Sequence, residues 1–342
     1  MARNQRIFYA CKAVVIVPIG HNVADSGYVY GLQSVGMSST FTLDQVFEIG
    51  QLEIYENIED VADVEVTLEK VIDGEKLIYN LASNGECKES IVAASKQRSD
   101  VYLAIYDDGQ DNATGLARSV CWNSGMYISS VAYNYSVDGS ATESVTLVGN
   151  DRFWNEETSI DNGNGANALT QFDSTTRNPD FDEGTNADTP NSGVVRRVNV
   201  LLEDGDSKLP DIVKSQAGED LAGTSSYHIQ SISVSADFAQ ENILELGRFA
   251  PYARYATFPI EVTSEFEVIA TSGDLKTVSG TGTNLSNSEI VIKDDAGTVI
   301  NLSNKNKLSS ISYSGGDTGG GNATITYSFS NFNGLTVLDG GG

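Results

Sequence analysis

Cysteine is scarce here: Cys11, Cys87 and Cys121 are odd in number and none sits in a CxxC spacing, which argues against a disulfide framework and a zinc site and suits folding in a reducing cytoplasm. Histidine occurs only at His21 and His228, and neither has a Cys or carboxylate at ligand spacing. GxSxG, GxGxxG after a strand, the Walker loop and HExxH are all absent, so no enzyme, cofactor or metal site is expected. Two loops cluster oxygen side chains, Asp107, Asp108, Asp111 and Asn112, and Asp161, Asn162 and Asn164. Neither has EF-hand spacing, and both read as turns.

Basic residues are also short. Twenty-one Lys and Arg face 47 Asp and Glu, a formal charge of −26, and such a surface lacks the clustered cations that phosphate binding needs. Long apolar runs are missing too. Ala13 to Val17, between Lys12 and Pro18, is too short for a signal h-region or a membrane span. Arg6 to Pro18 reads as a buried strand. With 6 Pro against 33 Gly, and with Tyr, Val, Ile, Thr and Ser dominating the ordered-looking segments, the chain reads as all-β with many turns and one or two short helices.

What is present is an alternation that occurs twice. In 228–269, Phe258, Ile260, Val262, Phe266 and Val268 point one way and Thr257, Glu261, Thr263, Glu265 and Glu267 the other. The preceding arm alternates Ser231, Ser233, Ser235 and Asp237 with Ile232, Val234, Ala236 and Phe238. This is a long half-buried hairpin. Sliding back 197 positions brings Gln33, Ser34, Ser38, Phe41, Glu48, Gly50 and Tyr55 onto Gln230, Ser231, Ser235, Phe238, Glu245, Gly247 and Tyr252. With one residue deleted in the connection, Glu65, Val66 and Thr67 meet Glu261, Val262 and Thr263. Val64, Val66, Leu68 and Ile72 then face inward and Glu65, Thr67 and Glu69 outward, which makes a second, equivalent hairpin over 28–72.

The strings ENILELGRFAPYARYATFPIEVTSEFEV at 241–268 and VAYNYSVDGSATESVTLVGNDRFW at 131–154 resemble the major tail tube protein family of tailed bacteriophages, over roughly 28–155 and 226–270. The resemblance implies a β-sandwich subunit, six copies in a ring, paired hairpins joined into one continuous β-barrel, and rings stacked into the tube that conducts DNA. It implies self-association, ring stacking, a tape measure protein and DNA passing transiently through the lumen, and in contractile tails a sheath protein. Location would be the virion tail, assembled in the host cytoplasm, with no membrane.

Elsewhere, helical spacing is expected at Glu75 to Ala82 and Lys88 to Gln97, with a turn at Pro210 to Lys214. Strands are expected at Asp100 to Tyr106, in a pair over Gly125 to Val148 bending at Asp138-Gly139, and at Val194 to Leu202. Residues 150–193 lose periodicity and read as a surface insertion. The expected division is a tail-tube-type domain over 1–272 and, over 273–342, short strands (289–293, 298–302, 308–313, 323–329 and 335–338) forming an outer sheet or a small appended module. The Leu43 to Ala62 connection is a candidate contact with a neighbouring ring.

Since the apolar faces of the hairpins must be buried, the residues expected to line the channel are Ser34, Ser38, Glu65, Thr67, Glu69, Ser231, Ser233, Ser235, Glu261, Thr263, Glu265 and Glu267. An acidic, hydroxyl-rich wall forms no ion pairs with phosphate. Two other readings are a baseplate hub or tube initiator forming a trimeric pseudo-hexamer, and an extracellular carbohydrate-binding or adhesin β-sandwich, which predicts a monomer.

Overall fold

A computed structural model describes residues 7, 12–19, 27–83, 91–106, 117–155, 159–161, 166–168, 193–202, 207–217, 228–270, 278–279, 285–315 and 321–339. The strands are β1 (Lys12–Pro18), β2 (Gly27–Tyr28), β3 (Leu32–Thr40), β4 (Leu43–Phe47), β5 (Ile54–Glu59), β6 (Asp63–Val71), β7 (Ser99–Ile105), β8 (Ser119–Ser136), β9 (Thr142–Gly149), β10 (Asp151–Asn155), β11 (Ser159–Asp161) and β12 (Ala166–Ala168). They continue as β13 (Ile229–Asp237), β14 (Gln240–Ile243), β15 (Ala253–Ala256), β16 (Glu261–Ile269), β17 (Val291–Lys293), β18 (Val299–Asn301), β19 (Lys307–Ser314), β20 (Thr324–Phe332) and β21 (Thr336–Leu338). Three short helices, α1 (Ile78–Ala82), α2 (Ile91–Ala94) and α3 (Asp211–Ala217), accompany them. The fold is mostly β with antiparallel pairing, as the alternation implies.

Eight strands form one continuous antiparallel sheet in the order β3-β6-β9-β8-β13-β16-β20-β19. The inner strands alternate mainly Ser, Thr and Glu on one face with buried, mainly apolar residues on the other, where Lys70, Glu143, Ser264 and Asn331 are the polar exceptions. The 18-residue β8 belongs to two layers. Its second half carries β9 and β13, while its first half pairs with β7 and β10. The change of layer falls at Gly125, whose φ of 64° is open to glycine at little steric cost. The second layer, β2-β1-β7-β8-β10, turns Val14, Ile16, Val101, Leu103 and Cys121 toward the apolar face of the large sheet. Helices α1 and α3 and the small sheet β17-β18-β21 pack into the same core. Two faces buried against each other in this way make a sandwich.

Several expectations need correction. Val194 to Leu202 is not a strand: Arg197–Asn199 forms a 3₁₀ turn, with isolated bridges at Arg196 and Val200. The Asn199 side chain accepts from the Arg196 amide (2.9 Å), a local bond that competes with a ladder. The region from 150 begins not as a loop but as β10, where Phe153 lies opposite Trp122 with ring centroids 5.3 Å apart. Most of 156–192 lies outside the described residues, as do His21, Cys11, Cys87 and the 107–112 loop. The C-terminal strands form neither an outer sheet alone nor a separate module. β20 pairs with β16 and β19 with β20, while β17, β18 and β21 contribute Ile292, Ile300 and Val337 to the common core.

One buried polar cluster fixes the helical cap to the sheet. Glu143, on the inward face of β9, is fully buried and accepts from the α1 amides of Ile78 (2.6 Å) and Tyr79 (3.0 Å) and from the Tyr133 hydroxyl (3.1 Å). Lys70, also fully buried, donates to the carbonyl of Lys76 (3.0 Å) and pairs with Asp73 (3.2 Å). Burial pushes the Glu143 carboxyl above its ordinary range, opposed by Lys70 and the three donors.

Candidate functional site

All twelve residues expected on the channel lie on one face of the eight-stranded sheet. Directly opposed residues in an antiparallel ladder share a face, and the pairings chain across the strands. One row runs Ser34, Glu69, Ser144, Ala132, Ser235, Thr263, Ser330 and Lys307. Another runs Asn134, Ser233, Glu265, Ser328 and Ser310. A third begins at Ser136 and continues Ser231, Glu267, Thr326 and Ser312. Glu65 stands opposite Ser38, Thr67 opposite Thr146, and Glu261 opposite Phe332 at the sheet's end.

The face is built from hydroxyls and carboxylates that hold one another. Glu69 accepts from Ser34 (3.3 Å), Glu267 from Ser231 (3.1 Å) and Glu265 from Ser328 (3.1 Å). The eight strands contain two basic residues. Lys70 is buried on the opposite side, and Lys307 stands at the outer end of β19. A phosphate approaching this face therefore meets carboxylate repulsion and neutral donors, with almost no cation to pair with.

The other half of this face, beyond the twelve residues expected from sequence, belongs to the β8-β9 hairpin between the twin hairpins and to the β19-β20 hairpin beyond β16. The signal was the Thr142, Ser144, Thr146 and Thr324, Thr326, Ser328, Ser330 alternation, which matches that of the named strands.

The duplication extends beyond the hairpins. The order β3-β6-β9-β8 and the order β13-β16-β20-β19 follow the same connectivity, hairpin first and then a second hairpin in reversed order. Irregularities coincide. The ladder shifts between Leu32 and Ser34 and between Ile229 and Ser231, 197 residues on, and the bulged Gln33 and Gln230 each bond a carbonyl two residues back, Gly31 and His228. It shifts again between Ile128 and Ser130 and between Leu308 and Ser310, 180 residues on. Each chain thus holds two four-stranded units joined at the β8-β13 seam.

This register corrects the alignment of the outgoing arms. Ser38 pairs with Glu65 and its counterpart Ser235 with Thr263, so Glu65 corresponds to Thr263, not to Glu261. The second connection is one residue longer than the first, not the reverse as expected from the shared EVT string. Three matching letters weigh less than a register pinned by a bulge at one end and a turn at the other.

From each twin hairpin rises an arm, β4-β5 or β14-β15. Both tips turn at a glycine with positive φ, Gly50 (97°) and Gly247 (89°), and both are closed by equivalent bonds, Asp60 N to Thr42 O and Thr257 N to Ala239 O. They carry Phe47, Ile49 and Leu52, and Leu244, Leu246 and Phe249, all exposed. Arg254 of the second arm, itself buried, bonds Asn242 of the same arm (2.7 Å) and Asp63 at the start of β6 (3.2 Å), tying the second arm to the base of the first hairpin.

Among the described residues no three His, Cys, Asp or Glu side chains form a metal-capable group, and no helix is long and apolar enough to cross a membrane. No family model matches this chain, and no curated protein does. Among solved structures, a chain of the anti-feeding prophage baseplate, a cryo-EM structure symmetrised six-fold, is similar over 45% of this chain and 97% of its own length, at 12% identity and a TM-score of 0.32.

Proposed function

We propose that this chain is a non-enzymatic structural subunit of a phage-type tail, a ring-former whose acidic, hydroxyl-covered face lines a channel for DNA. The observation that carries the reading is a long open sheet with one polar face, one buried face and two four-stranded units per chain. An open sheet of this length has edges that need partners, and a ring of copies supplies them without leaving any edge exposed.

The doubled unit bears on copy number. With strands about 4.8 Å apart and tilted about 40°, twenty-four strands close a barrel about 48 Å across, and forty-eight close one about 95 Å across. Three copies of the eight-stranded sheet give the first, and that bore suits one DNA duplex once side chains are allowed for. The six-fold ring implied by the tail tube resemblance is thus better met by three chains bearing six units than by six chains. This favours a hub or tube-initiating position over a repeating six-chain tube subunit. The exposed apolar arms then serve as contacts along the channel axis with the next ring.

Native mass spectrometry with negative-stain imaging of the purified protein tests this. The expected result is a trimer that appears as a ring with six-fold-like modulation. A monomer at micromolar concentration would remove the reading in favour of an adhesin-like sandwich, and six chains per ring would restore the tail tube subunit.

A further inference from the structure

The β8-β13 seam inside the chain contains a template for a contact that the described residues of one chain do not make at their outer strands. Its counterparts are β19 and β3, the two outermost strands. Among the described residues β3 pairs only with β6 and β19 only with β20. Neither edge is protected in the way soluble proteins usually protect one: β3 has no charged residue and no proline over nine residues, and β19 has a single Lys at its end.

Burial makes the asymmetry plain. Phe238, just after β13, is fully buried and its amide donates to the carbonyl of the bulged Ser129 (2.8 Å), while its counterpart Phe41 is 69% exposed. Tyr133 in β8 is 1% exposed and its counterpart Tyr313 in β19 is 58% exposed. Side chains that one unit buries against the other within the chain stand open at the two ends, so the occupant they call for is a second copy.

We infer that β19 of one copy pairs antiparallel with β3 of the next in the register of the internal seam, with Tyr313 opposite Met37, Ser312 opposite Ser38 and Ser310 opposite Thr40. The correspondence is read from Tyr133 opposite Val234, Ala132 opposite Ser235 and Ser130 opposite Asp237. Faces agree throughout. Met37 and Tyr313 continue the apolar side, while Ser38 and Ser312 extend the hydroxyl side. The Phe41 amide then meets the carbonyl of Ser309, the second bulge residue, as Phe238 meets Ser129. The contact is head to tail, so repeating it generates a closed ring or an open helix of copies. The inference deepens the ring proposed above and supplies its seam, but needs nothing about what passes through the centre.

Ser38 and Ser312 are both exposed. The Phe238 and Val137 amide bonds flank the Ser235-Ala132 type of pair as a non-hydrogen-bonded one, and in such pairs Cβ atoms approach to about 4.5–5.5 Å, close enough for a disulfide after small adjustment. The test is the double variant S38C/S312C under mild oxidation, with S38C, S312C and the out-of-register pair S38C/S310C as controls, on a denaturing non-reducing gel. The expected result is a covalent ladder ending at one closed species, with about tenfold more product than the out-of-register pair gives. Equal yields from both pairs, or no product above the single variants, overturn the seam. Rings in micrographs without this cross-link would refute the seam and leave the ring reading standing. A cross-linked closed ring whose acidic face looks outward would do the opposite.

Discussion

Glu143 and Lys70 show how single residues hold the cap on the sheet. Replacing Glu143 with Leu strands two helix amides and a tyrosine hydroxyl in the core, and should lower unfolding free energy by about 3 kcal/mol, read from urea midpoints. Because burial raises the Glu143 pKa in the folded state, its ionisation opposes folding. Its stabilising contribution is complete below the unfolded value near 4.5 and is lost as pH rises through the higher folded value. Wild type should therefore gain stability relative to E143Q as pH is lowered toward 4.5, and parallel curves for the two proteins would contradict that. Lys70 is absent from the inward set read from sequence, although period two puts it on that face between Leu68 and Ile72. Asp73 and the carbonyls of Glu75 and Lys76 reach it through the turn that follows β6, whereas the Glu143 carboxylate opposite it on β9 meets it only through long-range strand pairing, which leaves no local mark.

At the scale of elements, alternation with period two made the twin hairpins and the β8-β9 pair legible from sequence, because one buried face forces that pattern. Two things escaped. The C-terminal hairpin was split from the rest, since a bulge at Ser309 and the glycine-rich connection interrupt its pattern. The order of hairpins in the sheet was also hidden, because long-range pairing leaves no local mark. The arms bear on a separate prediction. Ile49→Ser with Leu246→Ser touches no core contact, so unfolding free energy should stay within about 0.5 kcal/mol of wild type. Stacked rings should nonetheless dissociate to single rings in sedimentation velocity. Undiminished stacking would remove the arms from the contact.

For the whole molecule the decisive quantity is where the charge of −26 lies. Carboxylates at Glu65, Glu69, Glu261, Glu265 and Glu267 on one face, where the eight strands place Lys307 as their one basic residue, make that face repellent to phosphate within about 8 Å at physiological salt. Reversing Glu261, Glu265 and Glu267 to Lys should leave assembly intact while creating DNA retention. Affinity would fall with salt at a log–log slope of about −0.9 per phosphate contacted. Retention by the wild type equal to that of the variant would count against a non-adhesive channel. The central claim is that this face looks inward, and an electron cryomicroscopy reconstruction of the assembled protein tests it most directly. The expected reconstruction is a continuous barrel with Ser233, Glu265 and Ser328 pointing at the central axis; those side chains on the outer surface, or an eight-stranded sheet unpaired at both edges, would contradict an inward-facing channel wall.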